Sequence, residues 1–336
     1  MDSETAKEYN TLTRTGKIRR VGRLARAAVG QYNIDPSAIR MHGFETNLLY
    51  RVRAANGERF MLRMASPGWR TLEDLQAEAA WLQALDRDTG IGAPRVVLAA
   101  NGESVLPLRG AGVPETWYAT LMTWVPGTLL AHHLSCANLV KMGELFARLH
   151  LHAKSWQPPP GFSKRRFVKY LSRGEPEVLF SDEVIQSFAQ GDRAVFLRAR
   201  GWVNDEYARL DRDDLRVIHC DLWHENIKLD RGRLRPFDFE DTVWGFRLHD
   251  IAMGMLDLLE DAGYSRYRDL LAAFRLGYER LLDWPDGSLE VLQVGRLMWK
   301  ANYVARFHSR SLGPMVGEYG RIFRDVEQSG VLRLSD

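Results

Sequence analysis

Residues 217–241, VIHCDLWHENIKLDRGRLRPFDFED, set His219, Asp221, His224, Asn226, Asp238, Glu240 and Asp241 between two apolar strand-like runs. Burying so many polar side chains near a core is unfavourable unless each has a partner. The chain must therefore fold around whatever satisfies them: a metal, a phosphate, or one another. His219, Cys220, Asp221 and His224 are all zinc-ligating types. Adjacent residues cannot all converge on one tetrahedral ion, however, and no matching second cluster exists in the sequence. Asp221, Asn226 and Asp238 instead offer hard oxygen donors, which suit Mg²⁺.

The rest of the chain limits the partners. It has 336 residues, 45% hydrophobic and 26% charged, which is ordinary for a globular protein of two domains or lobes. Lys plus Arg number 46 against 43 Asp plus Glu, and a net charge of +3 gives no general pull toward nucleic acid or an anionic membrane. The only cysteines, Cys136 and Cys220, lie far apart and fit a reducing compartment. The polar start and the lack of a membrane-length apolar run lead us to expect a cytoplasmic protein.

Strand signals dominate early. LLYRVRA (48–54) and RFMLRMA (59–65) flank a turn, PRVVLAANGESVLPL (94–108) reads as two short strands, and TWYATLMTW (116–124) as another. Two helices interrupt them. Residues 16–31 are basic and amphipathic, and we expect them to dock on the first lobe rather than on a membrane. Residues 71–87 begin with Thr71 as N-cap and Asp74 three residues on. After Val125-Pro126-Gly127 the pattern turns helical: 137–154, 181–199, 204–214, and then about 248–260, 264–282, 287–306 and 314–328. The expected class is α+β, divided into residues 1–123 and 124–336.

The spacing His219-x-Asp221-x-x-x-x-Asn226, with Asp238-Phe239 twelve residues on, matches the protein-kinase catalytic loop and the motif after it. Such a site needs a cation on an earlier strand and an acid on the next helix. FMLR ends in Arg63. On the following helix Glu78 falls within the apolar face formed by Leu72, Leu75, Ala79, Leu82 and Leu85, and an inward acid requires a cationic partner.

With these residues in hand, the sequence resembles the aminoglycoside phosphotransferase / choline kinase superfamily over about residues 40–330. The catalytic stretch, GFRLHDIA (245–252) and LFARLHLH (145–152) carry the likeness. LRMASPGWRTLEDLQAEAAWLQAL looks nearest to homoserine kinases and bacterial stress-response Ser/Thr kinases. The resemblance implies a bilobal protein-kinase-like fold, with ATP held between the lobes. By position, Asp221 would be the catalytic base, and Asn226 and Asp238 would be Mg²⁺ ligands. Arg63 would reach the phosphates, oriented by Glu78. Thr46 and Asn47 would cover the phosphates, Met122 and Trp124 would offer backbone groups to adenine, and His219 and Asp250 would brace the loop. Arg63 stands where Lys is common, and the phosphate loop has a single glycine, Gly43.

The reaction implied is transfer of the ATP γ-phosphoryl group to a hydroxyl of a small molecule of amino alcohol, homoserine or aminoglycoside type. A protein Ser/Thr kinase and a non-catalytic nucleotide-binding module are the alternatives. Trp124, Trp223 and Trp244 could cage a quaternary ammonium group, though packing is the stronger account, because Trp is frequent throughout the chain. Cys220 reads as a small buried filler. Asp257, Glu260 and Asp261 read as a polar helix end.

Overall fold

A computed structural model describes residues 8–44, 46–110, 112–162, 165–171 and 175–334. The chain forms two compact units: Met1–Pro126 with Pro158–Ser163, and Gly127–Gln157 with Lys164–Asp336.

The first unit is built on an antiparallel sheet. Strands β1 (Pro36–Phe44), β2 (Leu48–Ala54), β3 (Arg59–Ala65), β4 (Val96–Val97), β5 (Leu106–Gly110) and β6 (Val113–Thr123) run in the order β1-β2-β3-β6-β4, with β5 on β6. β2 alternates strictly between buried and less buried positions, so Leu48, Tyr50 and Val52 enter one core with Phe60, Leu62 and Met64 of β3. Helix α1 (Arg14–Val29) covers that side with Val21, Leu24, Ala25, Ala28 and Val29, and its arginines at 19, 23 and 26 remain exposed. The other side of β3 carries Arg63 and Ala65 toward helix α2 (Leu72–Asp88). A reciprocal cap starts α2: Thr71 accepts from the Asp74 N–H and the Asp74 side chain accepts from the Thr71 N–H. Strand β1 lies outside the sequence expectation. Its largely exposed residues lack a two-residue alternation because it is a sheet edge.

The second unit is mostly helical: α3 (Cys136–Ser155), α4 (Asp182–Gln186), α5 (Gln190–Arg209), α6 (Arg247–Ala262), α7 (Tyr264–Tyr278), α8 (Leu289–Phe307) and α9 (Leu312–Ser329). The expected helices 181–199 and 204–214 are corrected here. The break falls at Ser187, and one helix runs through Gly201, whose exposed position has open space around it. Two small sheets hold the polar stretch. One is β7 (Thr128–Leu129), β10 (Ile227–Asp230) and β11 (Arg233–Pro236); the other is β8 (Arg166–Phe167), β9 (Arg216–Ile218) and β12 (Val243–Gly245). Helices α3 and α7 cross at Gly143 and Gly277. A Cβ at either would meet the opposing backbone at 2.0 or 1.9 Å, so only glycine allows this approach. Among the described residues no helix is long and apolar enough to cross a membrane.

Candidate active site

In the second unit, pairing of Val243 with Ile218 brings the two ends of the polar stretch side by side. The chain leaves β9, turns through His219–Asn226, makes the β10–β11 hairpin and returns. Because Ile227 pairs with Pro236, Asn226 lies opposite Phe237, whose N–H donates to the Asn226 carbonyl at 3.0 Å. Hairpin register thus places Asn226 next to the residue preceding Asp238. Asp238 itself adopts left-handed backbone, φ 63°, and opens a short 3₁₀ turn. Asn226 Nδ2 donates to the Asp221 carbonyl at 2.8 Å and to Asp221 Oδ2 at 2.9 Å. With its nitrogen committed to Asp221, the amide has Oδ1 as the donor to offer a cation.

His219 is fully buried, and burial holds its pKa below the usual value. The neutral ring donates from Nε2 to the Phe237 carbonyl at 3.1 Å and accepts the Asp221 N–H at Nδ1, 3.4 Å. It joins the two halves of the loop, with both ring nitrogens engaged by backbone groups. Asp250 fixes the loop from below. Its Oδ1 accepts the Cys220 N–H at 2.6 Å, and its Oδ2 accepts from His150 Nε2 at 3.0 Å, while His150 Nδ1 bonds the Tyr278 hydroxyl at 2.9 Å. Burial raises the Asp250 carboxyl, but the His150 and Cys220 donors and the nearby histidines bring it below its ordinary range. Gly254 lets α6 approach the loop, since a Cβ there would sit 2.6 Å from the Leu222 carbonyl.

Asp221 has the opposite character. Burial, reinforced by the charges of Asp241, Asp238 and Asp257 against the attraction of Arg296, pushes its carboxyl up to about 8. A buried acidic cluster of this kind suits a divalent cation. Asn226 Oδ1 and the Asp238 carboxylate are hard oxygen donors, and Mg²⁺ is commonly held by one or two protein ligands together with phosphate oxygens. Among the described residues no group of three or more His, Cys, Asp or Glu could hold a metal unaided. Asp257, Glu260 and Asp261 do more than end a helix. Asp261 bonds buried His224 at 2.7 Å, Glu260 pairs with Lys300, and Asp257 reaches Lys300 at 3.8 Å while acting on Asp221.

In the first unit, Arg63 and Glu78 form a two-pronged ion pair, with Nη1 on Oε1 at 3.0 Å and Nη2 on Oε2. Their side chains are 4% and 2% exposed. Asn47 is buried and accepts the Ser66 N–H at 3.3 Å; neighbouring Thr46 is exposed. Met122 lies within β6, opposite Met61 and Val96. The Trp124 N–H donates to the Arg59 carbonyl at 2.9 Å, so that donor is committed to the sheet. The indole lies under Arg51, 4.4 Å from the ring centre, and edge-on to His42. Trp124 therefore packs against a cation within its own unit.

Sequence reading missed His150 and Tyr278 as supports of Asp250, and Arg296 as a cation whose charge acts on Asp221. The LFARLHLH stretch holds the histidine, but only the folded chain shows that it faces Asp250.

A model of the phosphotransferase enzyme family matches residues 40–284. Amicoumacin kinase of Bacillus subtilis (strain 168) is 21% identical over 236 residues, 69% of this chain and 66% of that protein, just under two thirds of its length. Among solved structures, the amicoumacin kinase hAmiN in complex with AMP-PNP, Ca²⁺ and Ami superposes with a TM-score of 0.76 at 18% identity, covering 96% of this chain and 98% of that one. A microcompartment-associated aminopropanol kinase gives 0.71 at 18% identity, covering 93% and 99%. These likenesses share the mixed fold described above, an antiparallel sheet followed by helices.

Proposed function

The chain belongs to the phosphotransferase enzyme family, and from that premise we propose that it transfers the γ-phosphoryl group of ATP to a hydroxyl of a small molecule. The observation that carries the reading is the Asp221 carboxylate, tied by the Asn226 amide within a cluster of further aspartates and mounted on a fully partnered buried base.

Asp221 orients the acceptor hydroxyl and takes its proton. Its raised affinity for protons suits that task, and its hydrogen bond from Asn226 fixes which oxygen faces the acceptor. Asn226 and Asp238 would hold Mg²⁺. When bound, the ion supplies positive charge to the phosphoryl oxygens. Arg63, aimed by Glu78, is the phosphate-directed cation of the first unit, and Thr46 and Asn47 belong to the turn that would lie over the phosphates. His219 and Asp250 hold the loop backbone and exchange no proton with substrate. Positioning and charge neutralisation then account for catalysis. A solved amicoumacin kinase bound to AMP-PNP and Ami, and an aminopropanol kinase, support a small-molecule acceptor.

The test is ATP consumption over a panel of hydroxyl compounds with wild type and Asp221→Asn. The variant should lose turnover by about 10³-fold or more while binding nucleotide nearly as well. Near-wild-type turnover in the variant would exclude Asp221 as the base. Absence of turnover with every acceptor, alongside clear ATP binding, would favour a non-catalytic nucleotide-binding module.

A further inference from the structure

Strand register divides one face of the first unit's sheet into rungs. The Arg63 rung runs through Leu49, Arg63 and Thr120 on β2, β3 and β6. Two residues along each strand, about 7 Å away, the next rung runs through Arg40, Arg51, Met61, Met122 and Val96. Both rungs alternate with Tyr50, Val52 and Leu62, which enter the core under α1, so both look away from that helix. Met61 and Met122 give the second rung an apolar centre beside the phosphate-directed Arg63. A nucleotide with its phosphates at Arg63 therefore has its base at the second rung. The Trp124 N–H, one of the backbone groups expected at that base, is committed to the Arg59 carbonyl at 2.9 Å.

Arg51 closes the apolar centre of this rung and is already ordered. Its guanidinium carbon lies 4.4 Å from the Trp124 ring centre, and its Nη2 lies 3.5 Å from His42 Nδ1. His42 in turn meets the Trp124 ring edge-on, with centroids 5.5 Å apart. The plate is thus supported on one side and at one edge, and the residue stays exposed. Arg40 stands directly opposite it on β1, an unfavourable pairing of like charges. Among the described residues neither arginine forms an ion pair. A planar cation so placed suits the π-face of a nucleobase. Arg51 and Met61 are direct cross-strand partners with Cβ atoms about 5 Å apart, so a base lying on Met61 is within reach of the Arg51 side chain.

We propose that Arg51, held by Trp124 and His42, grips the purine of the nucleotide by laying its guanidinium plane against the ring. This rests on the phosphotransferase reading and assigns the base contact within it.

The test measures binding of three probes to the full chain in Mg²⁺ by calorimetry: ATP, adenosine and inorganic tripolyphosphate. Arg51→Ala should weaken ATP and adenosine alike, by about tenfold, and leave tripolyphosphate unchanged. Arg51→Lys keeps the charge but loses the plane, so it should rescue ATP binding by no more than about twofold. Arg53→Ala removes an exposed cation from the same strand and face, opposite Arg59, and should leave all three probes unaffected. An equal loss of tripolyphosphate would make Arg51 a phosphate cation and overturn the base contact. Full rescue by lysine would overturn it too, as would adenosine or ATP binding that ignores Arg51→Ala, and each of these outcomes leaves the kinase reading in place. A wild-type chain that bound neither ATP nor tripolyphosphate would remove the kinase reading itself, and the base contact with it.

Discussion

The two units bury charge in opposite ways. In the first, Arg63 and Glu78 neutralise each other in a closed two-pronged pair, and no net charge is left behind. In the second, Asp221 is buried beside Asp241, Asp238 and Asp257, and burial first, then those like charges, raises its proton affinity. Directly beneath, Asp250 is as well satisfied as Glu78, with His150 and the Cys220 N–H on its two oxygens. Charge satisfaction thus marks the supports, and the buried carboxylates around Asp221 mark the place proposed for the cation. Removing a charge should therefore destabilise one unit and stabilise the other.

The largest effect is expected at the closed pair. Arg63→Met leaves Glu78 buried without its partner and should cost about 3–5 kcal/mol, read as a lowered urea midpoint. Arg63→Met with Glu78→Leu removes both charges and should recover most of that loss, because two apolar side chains replace a pair whose desolvation was itself unfavourable. Turnover should stay depressed in the double variant. If it were no more stable than the single one, packing rather than charge would govern the site.

A smaller effect of opposite sign is expected at Asp221. Its folded-state pKa of about 8 lies above the unfolded value of about 4. A group raised on folding contributes its stability fully below the unfolded value and loses it as pH rises through the folded one. In a divalent-free buffer, Asp221→Asn, which mimics the protonated acid, should therefore match wild type near pH 4–5 and exceed it by about 1–2 kcal/mol at pH 8, after allowance for partial exposure. The check is the difference in urea midpoints across that range in EDTA. A difference independent of pH would mean that the aspartate cluster is already neutralised, and the contrast between the units would vanish.

What the sequence made legible follows from the same contrast. Asp221, Asn226 and Asp238 are placed by chain-local geometry, a loop followed by a hairpin of fixed register, so their spacing could be read directly. The Arg63–Glu78 pairing was readable because an acid on the apolar face of α2 demands a cation and β3 carries one at Arg63. Strand β1 was not legible, since an edge strand with both faces largely wet has no period to detect. The break between α4 and α5 was misplaced because Gly201 reads as a breaker, whereas an exposed helix position tolerates glycine at about 1 kcal/mol. Tyr278 lies 128 residues from His150, and nothing local announces such a contact.

The smallest effect is expected at Cys220, where the satisfied scaffold meets the open cluster. Its φ of 68° lies in the left-handed region, which disfavours side chains by about 1–2 kcal/mol. Cys220→Gly relieves that strain. It also loses a buried Cβ and Sγ, worth about 1 kcal/mol, and gives the unfolded chain more freedom, worth about 0.5–1 kcal/mol. These terms nearly cancel, so the urea midpoint should move by less than about 1 kcal/mol in stability. Turnover should change only a few-fold, because the contact that fixes Asp221 is the backbone N–H on Asp250, which glycine keeps. The Sγ lies 3.7 Å from His249 Nε2, whose Nδ1 bonds the Tyr207 hydroxyl at 2.6 Å, so the thiol caps a chain of buried polar groups. If Cys220→Gly lost turnover more than tenfold at unchanged stability, that chain would belong to the reactive cluster, and the line between support and site would have to be redrawn through Cys220 itself.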